Sequence, residues 1–248
     1  VRRGFFGSRS AARRAIEDNR VVVSGIAVPR AATLVDEATG VSLVEPARWA
    51  SRGGEKLAAA LDAFFIDPTG LSCLDVGASA GGFTDVLLQR GAAAVAAVDV
   101  GYGQLAWRLR QDDRVTVHDR TNFRHAAPES LGAPFDLVVV DVSFISVRLL
   151  AGNLAACGRA GSDYVVLVKP QFEVGREHVG RGGIVTDPAL HGAAVAGVAG
   201  ALAGVGIGPR SVFRSPITGS KGNAEFFVAA RLGETASLTS RAIEETVA

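Results

Sequence analysis

The stretch LDVGASAGGFTDVLL, residues 74–88, decides how the rest of the chain is read. An apolar run reaches Val76, the glycines Gly77, Gly81 and Gly82 follow, and an apolar helix-like segment begins at once. A strand that turns through glycines directly into a helix is the opening unit of an α/β sheet, in which ligands gather at the carboxyl ends of the strands. Outward from this unit the alternation continues. Residues 71–76, 94–99, 114–118, 135–141 and 164–169 are strand-like apolar runs, and segments 81–90, 103–111, 146–156 and 187–204 are long enough for helices. Asp187 and Pro188 open the last of these in cap and first-turn positions. The pattern predicts a doubly wound, mainly parallel, Rossmann-like sheet, closed by strands near 210–215 and 225–231. Residues 233–248 read as a polar tail with a possible short helix.

Toward the amino terminus the pattern changes. Ser8 to Asp18 reads as a short helix capped by Ser8, in which Arg9, Arg13 and Arg20 can share one face and Ala12, Ala15 and Ile16 supply the other. Val21–Val23 is a strand, turned at Ser24 and Gly25, and a second strand pair around Ala31 to Val44 completes a compact α+β unit. Residues 1–30 hold seven Arg against Glu17 and Asp18, in a chain whose formal net charge is only +1. A basic head on a mildly acidic body points to a polyanion partner, and on charge alone an Arg-rich solvated face is the competing reading.

With 248 residues, 48% of them hydrophobic, the chain has material for one sizeable core and a small second domain, which excludes a disordered or fibrous protein. Cys73 and Cys157 lie in apolar settings and offer neither a disulfide framework nor a metal cluster, so a reducing cytoplasm is the expected compartment. The chain carries no Met, position 1 included, so Val1 is either a start codon written literally or a residue inside a longer chain. No apolar signal segment follows Arg2 and Arg3. The longest uncharged run, Gly192 to Pro209, is mostly Ala and Gly and reads as a packed helix with its exit loop, so no stable membrane association is expected.

The glycine spacing at 77–82 is G-x-x-x-G-G, which departs from the dinucleotide fingerprint G-x-G-x-x-G. Glycines here let a ligand approach the backbone, and the helix start offers free N–H donors. Asp99, at the end of the next strand, is placed to bond the hydroxyls of a ribose. Dinucleotide enzymes and S-adenosylmethionine enzymes share that carboxylate. The spacing favours S-adenosylmethionine, with a ligand-free glycine turn as the plainer alternative.

Charged residues fall at the ends of apolar strands. Of 26 basic residues only three are Lys: Lys56, Lys169 and Lys221. DLVVVDVSF delivers Asp141 to the rim of the binding face and YVVLVKPQF does the same for Lys169, while Lys56 precedes the sheet in RGGEKL and Glu225 enters a late strand in GNAEFFVAA. Their order is Lys, Asp, Lys, Glu, and two ammonium and two carboxylate groups at one rim are residue types compatible with a hydroxyl that must present a lone pair in line with a methyl group on a positively charged sulfur. Positioning supplies much of such a rate enhancement, and nearby cations stabilise developing alkoxide character. For Lys169 to act as the base it would have to be held neutral, which the two carboxylates oppose and Lys56 and the sulfonium favour. Lys169 is therefore assigned to orienting and polarising the hydroxyl, with a carboxylate or water as the proton acceptor. A pair of exposed salt bridges is the alternative reading of the four residues.

These four residues match the Lys-Asp-Lys-Glu tetrad of ribose 2′-O-methyltransferases of the FtsJ type, which the sequence resembles. With SRGGEKL, GASAGGFT, DVGYGQLAW, DRTNFR, DVSFIS and VKPQFEVG, residues 1–232 look most like the TlyA (hemolysin A) family of ribosomal RNA cytidine-2′-O-methyltransferases. RRGFFGSRSAARRAIEDNRVVVSG resembles an S4-type RNA-binding module whose usual first helix is cut short at Val1. The resemblance implies an S4-like domain over 1–45, a linker over 46–52, a methyltransferase domain over 53–232 and a tail over 233–248. It also implies contacts of Gly77, Ser79, Gly81, Asp99 and Asn122 with S-adenosylmethionine, and RNA contacts by Arg3, Arg9, Arg13, Arg14 and Arg20. Ribosomal RNA within ribosomal subunits would be the partner. The linker ARWA resembles the family's Trp-containing segment, with Ala50 where the pattern has Val. Competing classes are a non-catalytic RNA-binding assembly protein, a membrane-active hemolysin and a dehydrogenase.

Other polar residues carry less. Lys221, four residues before Glu225, reads equally as a phosphate contact or a solvated loop residue. The glycine-rich segment 170–186, with Arg176 and Arg181, reads as an irregular loop able to fold over RNA, or as a flexible connector. His118, His125, His178 and His191 have no ligand or triad spacing and read as ordinary polar or surface residues, and Ser143 and Ser146 lack the strand-turn-helix elbow of a hydrolase nucleophile.

Overall fold

The computed structural model describes residues 1–17, 20–27, 30–36, 38–44 and 48–248. They form two compact units, Val1–Arg48 and Trp49–Ala248. In the first unit, helix α1 (Arg9–Glu17) buries Ala15 and half-buries Ala12 and Ile16, while Arg9, Arg13 and Arg14 stay exposed. Ser8 Oγ accepts the N–H of Ala11 at 3.1 Å, which makes it the expected cap. Asp18, the expected helix end, lies outside the described residues.

Strand β1 (Val21–Val23) is the centre of a three-stranded antiparallel sheet, between β2 (Ile26–Ala27) and β3 (Val41–Leu43). The strand pair expected over 31–44 reduces to β3 within the described residues. Ser24 and Gly25 both have positive φ, 50° and 83°, and this tight turn returns the chain as β2 on one edge of β1, leaving β3 for the other edge.

In the second unit the elements run α2 (Gly53–Phe64), β4 (Ser72–Val76), α3 (Gly82–Gln89), β5 (Ala94–Val98), α4 (Trp107–Arg110), β6 (Val115–His118), α5 (Pro128–Leu131) and β7 (Phe135–Val140). They continue with α6 (Ala151–Cys157), β8 (Gly158–Val168), α7 (Pro170–Glu173), α8 (Pro188–Ala203), β9 (Ile207–Arg214), β10 (Phe226–Leu232) and α9 (Ser240–Val247). The seven strands form one sheet in the order β6-β5-β4-β7-β8-β10-β9. β10 runs antiparallel to both neighbours and the other pairings are parallel. The chain moves outward from β4 to β6 and then returns to lay β7 on the other side of β4, so strand order reverses between β4 and β7. Such a reversal opens a crevice at the carboxyl ends of the two strands.

The strand sequences follow from this placement. Central strands covered on both faces need near-continuous apolar runs, as the ends of β7 (LVVV) and β8 (YVVLV) have. The pleat sorts them into two cores. Leu74, Val76, Val138, Val140, Val166 and Val168 face one core with residues of α6, α8 and α9. Cys73, Leu137, Val139, Val165, Leu167 and Phe227 face the other, against α2 and α3. Pro209 is accommodated because β9 is an edge strand.

Several expected segments differ in detail. The helix expected over 103–111 is shortened to α4 because Gly103, at φ 67°, keeps its start in a turn. The one expected over 146–156 divides into a 3₁₀ turn (Val147–Leu150), capped by Ser146, and α6. The segment 170–186 contains α7 and two short 3₁₀ turns, Arg176–His178 and Arg181–Gly183. His191 is a core residue, with Nε2 2.8 Å from the Val185 carbonyl oxygen and its ring against Phe226. The helix α8 lies over the sheet with His191, Ala194, Val195, Val198 and Leu202 buried, and no described helix is long and apolar enough to cross a membrane.

The polar tail forms α9, capped by Thr239, whose Oγ1 accepts the Ala242 N–H. Ile243 and Val247 are buried in the first core, and α9 packs on α8 and β9. Replacing Ile243 with Ala should lower unfolding stability by about 2 kcal/mol. Urea denaturation checks this, and amide exchange should show α9 losing protection before the sheet.

Candidate active site

The site lies at the crevice between β4 and β7. Gly77 has φ 88°, and the place its Cβ would take is already filled by the backbone carbonyl of Asp141. Gly81, at φ 93°, likewise yields its Cβ position to Leu105 and Leu109. Glycine is therefore required here by close protein packing and left-handed backbone, where the sequence had suggested room for a ligand. Between them Ser79 also takes a positive φ, 47°, and its N–H donates to Asp99 Oδ2 at 2.9 Å. Asp99 Oδ1 accepts the N–H of Gly101 at 2.7 Å, so the carboxylate ties the glycine loop to the loop after β5.

Two cavities open over this edge. One, of about 330 Å³, is lined by Val76, Val98, Asp99, Gln104, Thr121 and Phe123 among others. It presents apolar walls and two carboxylates, Asp99 and Asp141, which suits a nucleoside. The other, of about 670 Å³, is lined by Lys56, Asp141, Lys169 and Glu225, with Arg52 and Lys221 among its other lining residues. Gly77, Ser79, Asp141, Ser143 and Phe144 belong to both linings. Two ligands bound side by side would therefore meet at these five residues.

The tetrad is assembled as two ion pairs. Lys56 Nζ lies 2.5 Å from Glu225 Oε2, with side-chain exposures of 10% and 3%. Lys169 Nζ lies 2.5 Å from Asp141 Oδ1, with exposures of 12% and 19%. Exposed surface bridges are excluded by this burial. Lys169 also donates to Ser143 Oγ at 2.9 Å. Lys169 and Asp141 come from the adjacent strand ends of β8 and β7, Lys56 from the first turn of α2, and Glu225 from the residue before β10.

The remaining expected residues fall out differently. Asn122 is exposed, and its Oδ1 accepts the Arg124 N–H at 3.1 Å, while its neighbours Thr121 and Phe123 line the smaller cavity. In the first unit Arg3 donates to the carbonyls of Asp36 and Thr39, which commits it to that unit's own turn. Arg20 leans on the Val44 carbonyl. Residues 46 and 47 of the expected linker lie outside the described residues. Trp49 is buried in the second core and Ala50 donates its N–H to Asp85 Oδ2 at 2.7 Å, so this part of the linker is built into the second unit. Burial works to raise the Asp85 carboxyl, but hydrogen bonds from Arg108, Gln89 and Ala50 hold it below the usual carboxylate range.

Sequence reading missed several supporting residues. Ser143 had been considered only as a nucleophile; its signal was its place two residues past Asp141 on the same strand end. Buried Asn223 donates to the Gly183 carbonyl and accepts the Val185 N–H, fixing the glycine-rich loop beside the larger cavity. Glu173 accepts from Ser146 and from the Val147 N–H; burial nonetheless raises its pKa. Cys73 and Cys157 are free and buried, and burial pushes their thiols up to about 12 and about 11. Among the described residues no cluster of His, Cys, Asp or Glu could hold a metal ion.

The fold and the paired tetrad define a Rossmann-like methyltransferase architecture. The FtsJ-like methyltransferase family model matches residues 49–232. The 16S/23S rRNA (cytidine-2′-O)-methyltransferase TlyA of Mycobacterium tuberculosis is 46% identical over 100% of this chain and 93% of that protein. A solved structure of a Streptococcus thermophilus protein, provisionally titled a hemolysin, is 38% identical with a TM-score of 0.79, over 99% of this chain and 91% of that one. An S-adenosylmethionine-dependent methyltransferase from Mesorhizobium loti shares the fold, with a TM-score of 0.52 at 18% identity over 70% of this chain and 96% of that one. The chain belongs to the FtsJ-like methyltransferase family, among the TlyA proteins.

Beneath the glycine loop, Asp75 is fully buried; Thr84 Oγ1 donates to its Oδ2 at 2.6 Å, and its Oδ1 has no hydrogen-bond partner among the described residues. Burial pushes its pKa from 3.8 up to about 7 against the Thr84 hydrogen bond, and the negative charges of Asp141 and Asp99 add to the rise. A carboxyl whose folded pKa lies above its unfolded value binds its proton more tightly when folded. Its stabilising contribution is present below the unfolded pKa and is lost as pH rises through the window from 3.8 to about 7. Asp75→Asn removes this dependence, so between pH 5 and pH 8 the wild type should lose stability relative to the variant in urea unfolding.

Proposed function

We propose that the chain methylates a ribose 2′-hydroxyl of ribosomal RNA, with S-adenosylmethionine as donor and a cytidine as target. The observation that carries this reading is the gathering of two buried lysine–carboxylate pairs in the larger cavity, with Asp141 of one pair also lining the smaller. The name and 46% identity of the mycobacterial relative support the substrate. The smaller cavity fits the nucleoside part of the donor: Asp99 would accept the ribose hydroxyls, Gly77, Ser79 and Gly81 would shape the backbone beside it, and Asn122 would cap the turn carrying Thr121 and Phe123. When bound, S-adenosylmethionine supplies an electrophilic methyl group on its sulfonium.

The chain's own residues do the rest. Lys169 orients the ribose hydroxyl and stabilises negative charge growing on its oxygen, and Asp141 keeps that ammonium at the junction of the cavities. Lys56, held by Glu225, adds positive potential from the α2 side. The hydroxyl proton leaves to a carboxylate of the site or to water. The first unit is read as an S4-like RNA anchor acting through Arg9, Arg13, Arg14 and Arg20, in the cytoplasm where ribosomal subunits are found.

Incubation with labelled S-adenosylmethionine and separated small and large ribosomal subunits, followed by mapping of ribose methylation, tests the reading; no label in either RNA overturns it. Lys169→Ala should lower kcat by about a hundredfold or more with the RNA KM little changed. A double Arg9→Ala, Arg14→Ala variant should raise the RNA KM, leave the S-adenosylmethionine KM alone, and reduce the log–log salt slope of RNA binding by up to about two.

A further inference from the structure

We propose that Ser143 is a positioning residue that sets the direction in which Lys169 presents its ammonium to the substrate oxygen. This rests on the methyltransferase reading above. The Lys169 ammonium forms an ion pair with Asp141 Oδ1 at 2.5 Å that lacks hydrogen-bond alignment, and donates one N–H to Ser143 Oγ at 2.9 Å. With its side chain only 12% exposed the stem is held, and the bond to Ser143 is the directional contact that orients the ammonium and its other two donors. Ser143 lines both cavities, so this direction is set where the two reactants would meet.

The contact is built into the backbone. Phe144 adopts φ 67°, a region costly for a bulky side chain, and this bends the chain immediately after Ser143. Its ring packs on Phe172 with centroids 5.3 Å apart. Phe172 belongs to α7, which begins directly after Lys169. The turn that carries Ser143 is therefore clamped to the element that carries the lysine. A nucleophilic role for Ser143 is excluded by the same geometry, because a donor-only ammonium cannot take the hydroxyl proton.

Without the hydroxyl, the ammonium keeps Asp141 as its partner and swivels about it. Ser143→Ala should lower kcat for transfer to ribosomal subunits about tenfold or more, with the S-adenosylmethionine KM within about twofold, and Ser143→Thr should restore most of the rate. Independently of activity, the chain has only three lysines, so lysine-selective ¹³Cε labelling gives three NMR signals, assignable by single Lys→Arg variants. In Ser143→Ala the Lys169 signal should move and those of Lys56 and Lys221 should stay. An unmoved Lys169 signal, an unchanged kcat, or a Thr variant as impaired as the Ala variant overturns the proposal. If the wild type labels neither subunit, the methyltransferase reading fails, whereas the Lys169 signal still decides whether Ser143 holds the ammonium.

Discussion

At Gly77 the end of β4 comes so close to the end of β7 that the Asp141 carbonyl occupies the place of a side chain. The approach is imposed by the ladder: Asp141 donates its N–H to Val76 at 2.9 Å, and Gly77 donates to Val98 at 2.8 Å. The glycine loop is thereby wedged between β5 and β7, the two strands whose ends carry Asp99 and Asp141. Everything that reacts is referred to this wedge. The donor side is reached through Asp99 and Ser79, the acceptor side through Asp141 and, one strand further, Lys169. A side chain at residue 77 would push the two halves apart, and left-handed φ would strain it as well.

Burial at this edge explains why the charges are arranged in pairs. An isolated buried ammonium or carboxylate loses several kcal/mol of hydration, and a close opposite charge restores much of it. Buried pairs of this kind contribute little net stability, so their presence at a strand edge is better understood through chemistry than through folding. Each pair keeps an ammonium beside the crevice before any substrate arrives. Asp75, one layer below, has no such partner, and burial holds it near neutrality instead. The site therefore contains both outcomes available to a buried carboxyl, pairing above the glycine loop and protonation below it.

The sheet was legible because its central strands are covered on both faces and so appear as mainly apolar runs, of which β5, β7 and β8 are each followed by a charged residue, Asp99, Asp141 and Lys169. Asp141 and Lys169 could be placed from that alone, and Lys56 and Glu225 from the resemblance that completed the set. What stayed hidden depends on contacts between segments distant in sequence. The reason for Gly81 is the packing of Leu105 and Leu109, 24 and 28 residues further on. Asn122 is spelled like its motif, yet its side chain caps its own turn and the neighbours face the cavity. Ser24 gave no sign that it would take left-handed φ with Gly25, and that choice moved β2. In the tail, two apolar residues four apart, Ile243 and Val247, were too few to announce a docked helix among polar neighbours.

The use of Lys in a chain otherwise dominated by Arg follows from how these contacts are made. A guanidinium facing Asp141 would engage the carboxylate with two parallel N–H groups in one plane, which fixes its remaining donors in directions set by the carboxylate. An ammonium touches each partner at one point and can serve three partners at tetrahedral angles. At Lys169 one donor goes to a hydroxyl from the β7 end while the carboxylate beside it supplies charge, which leaves donors for another group in the crevice. At Lys56 the partner Glu225 is itself confined, because Gly219 leaves just enough room for its other oxygen. The space beside each carboxylate admits a point charge on a slender stem, and a planar fork would have to displace the loops that close over it.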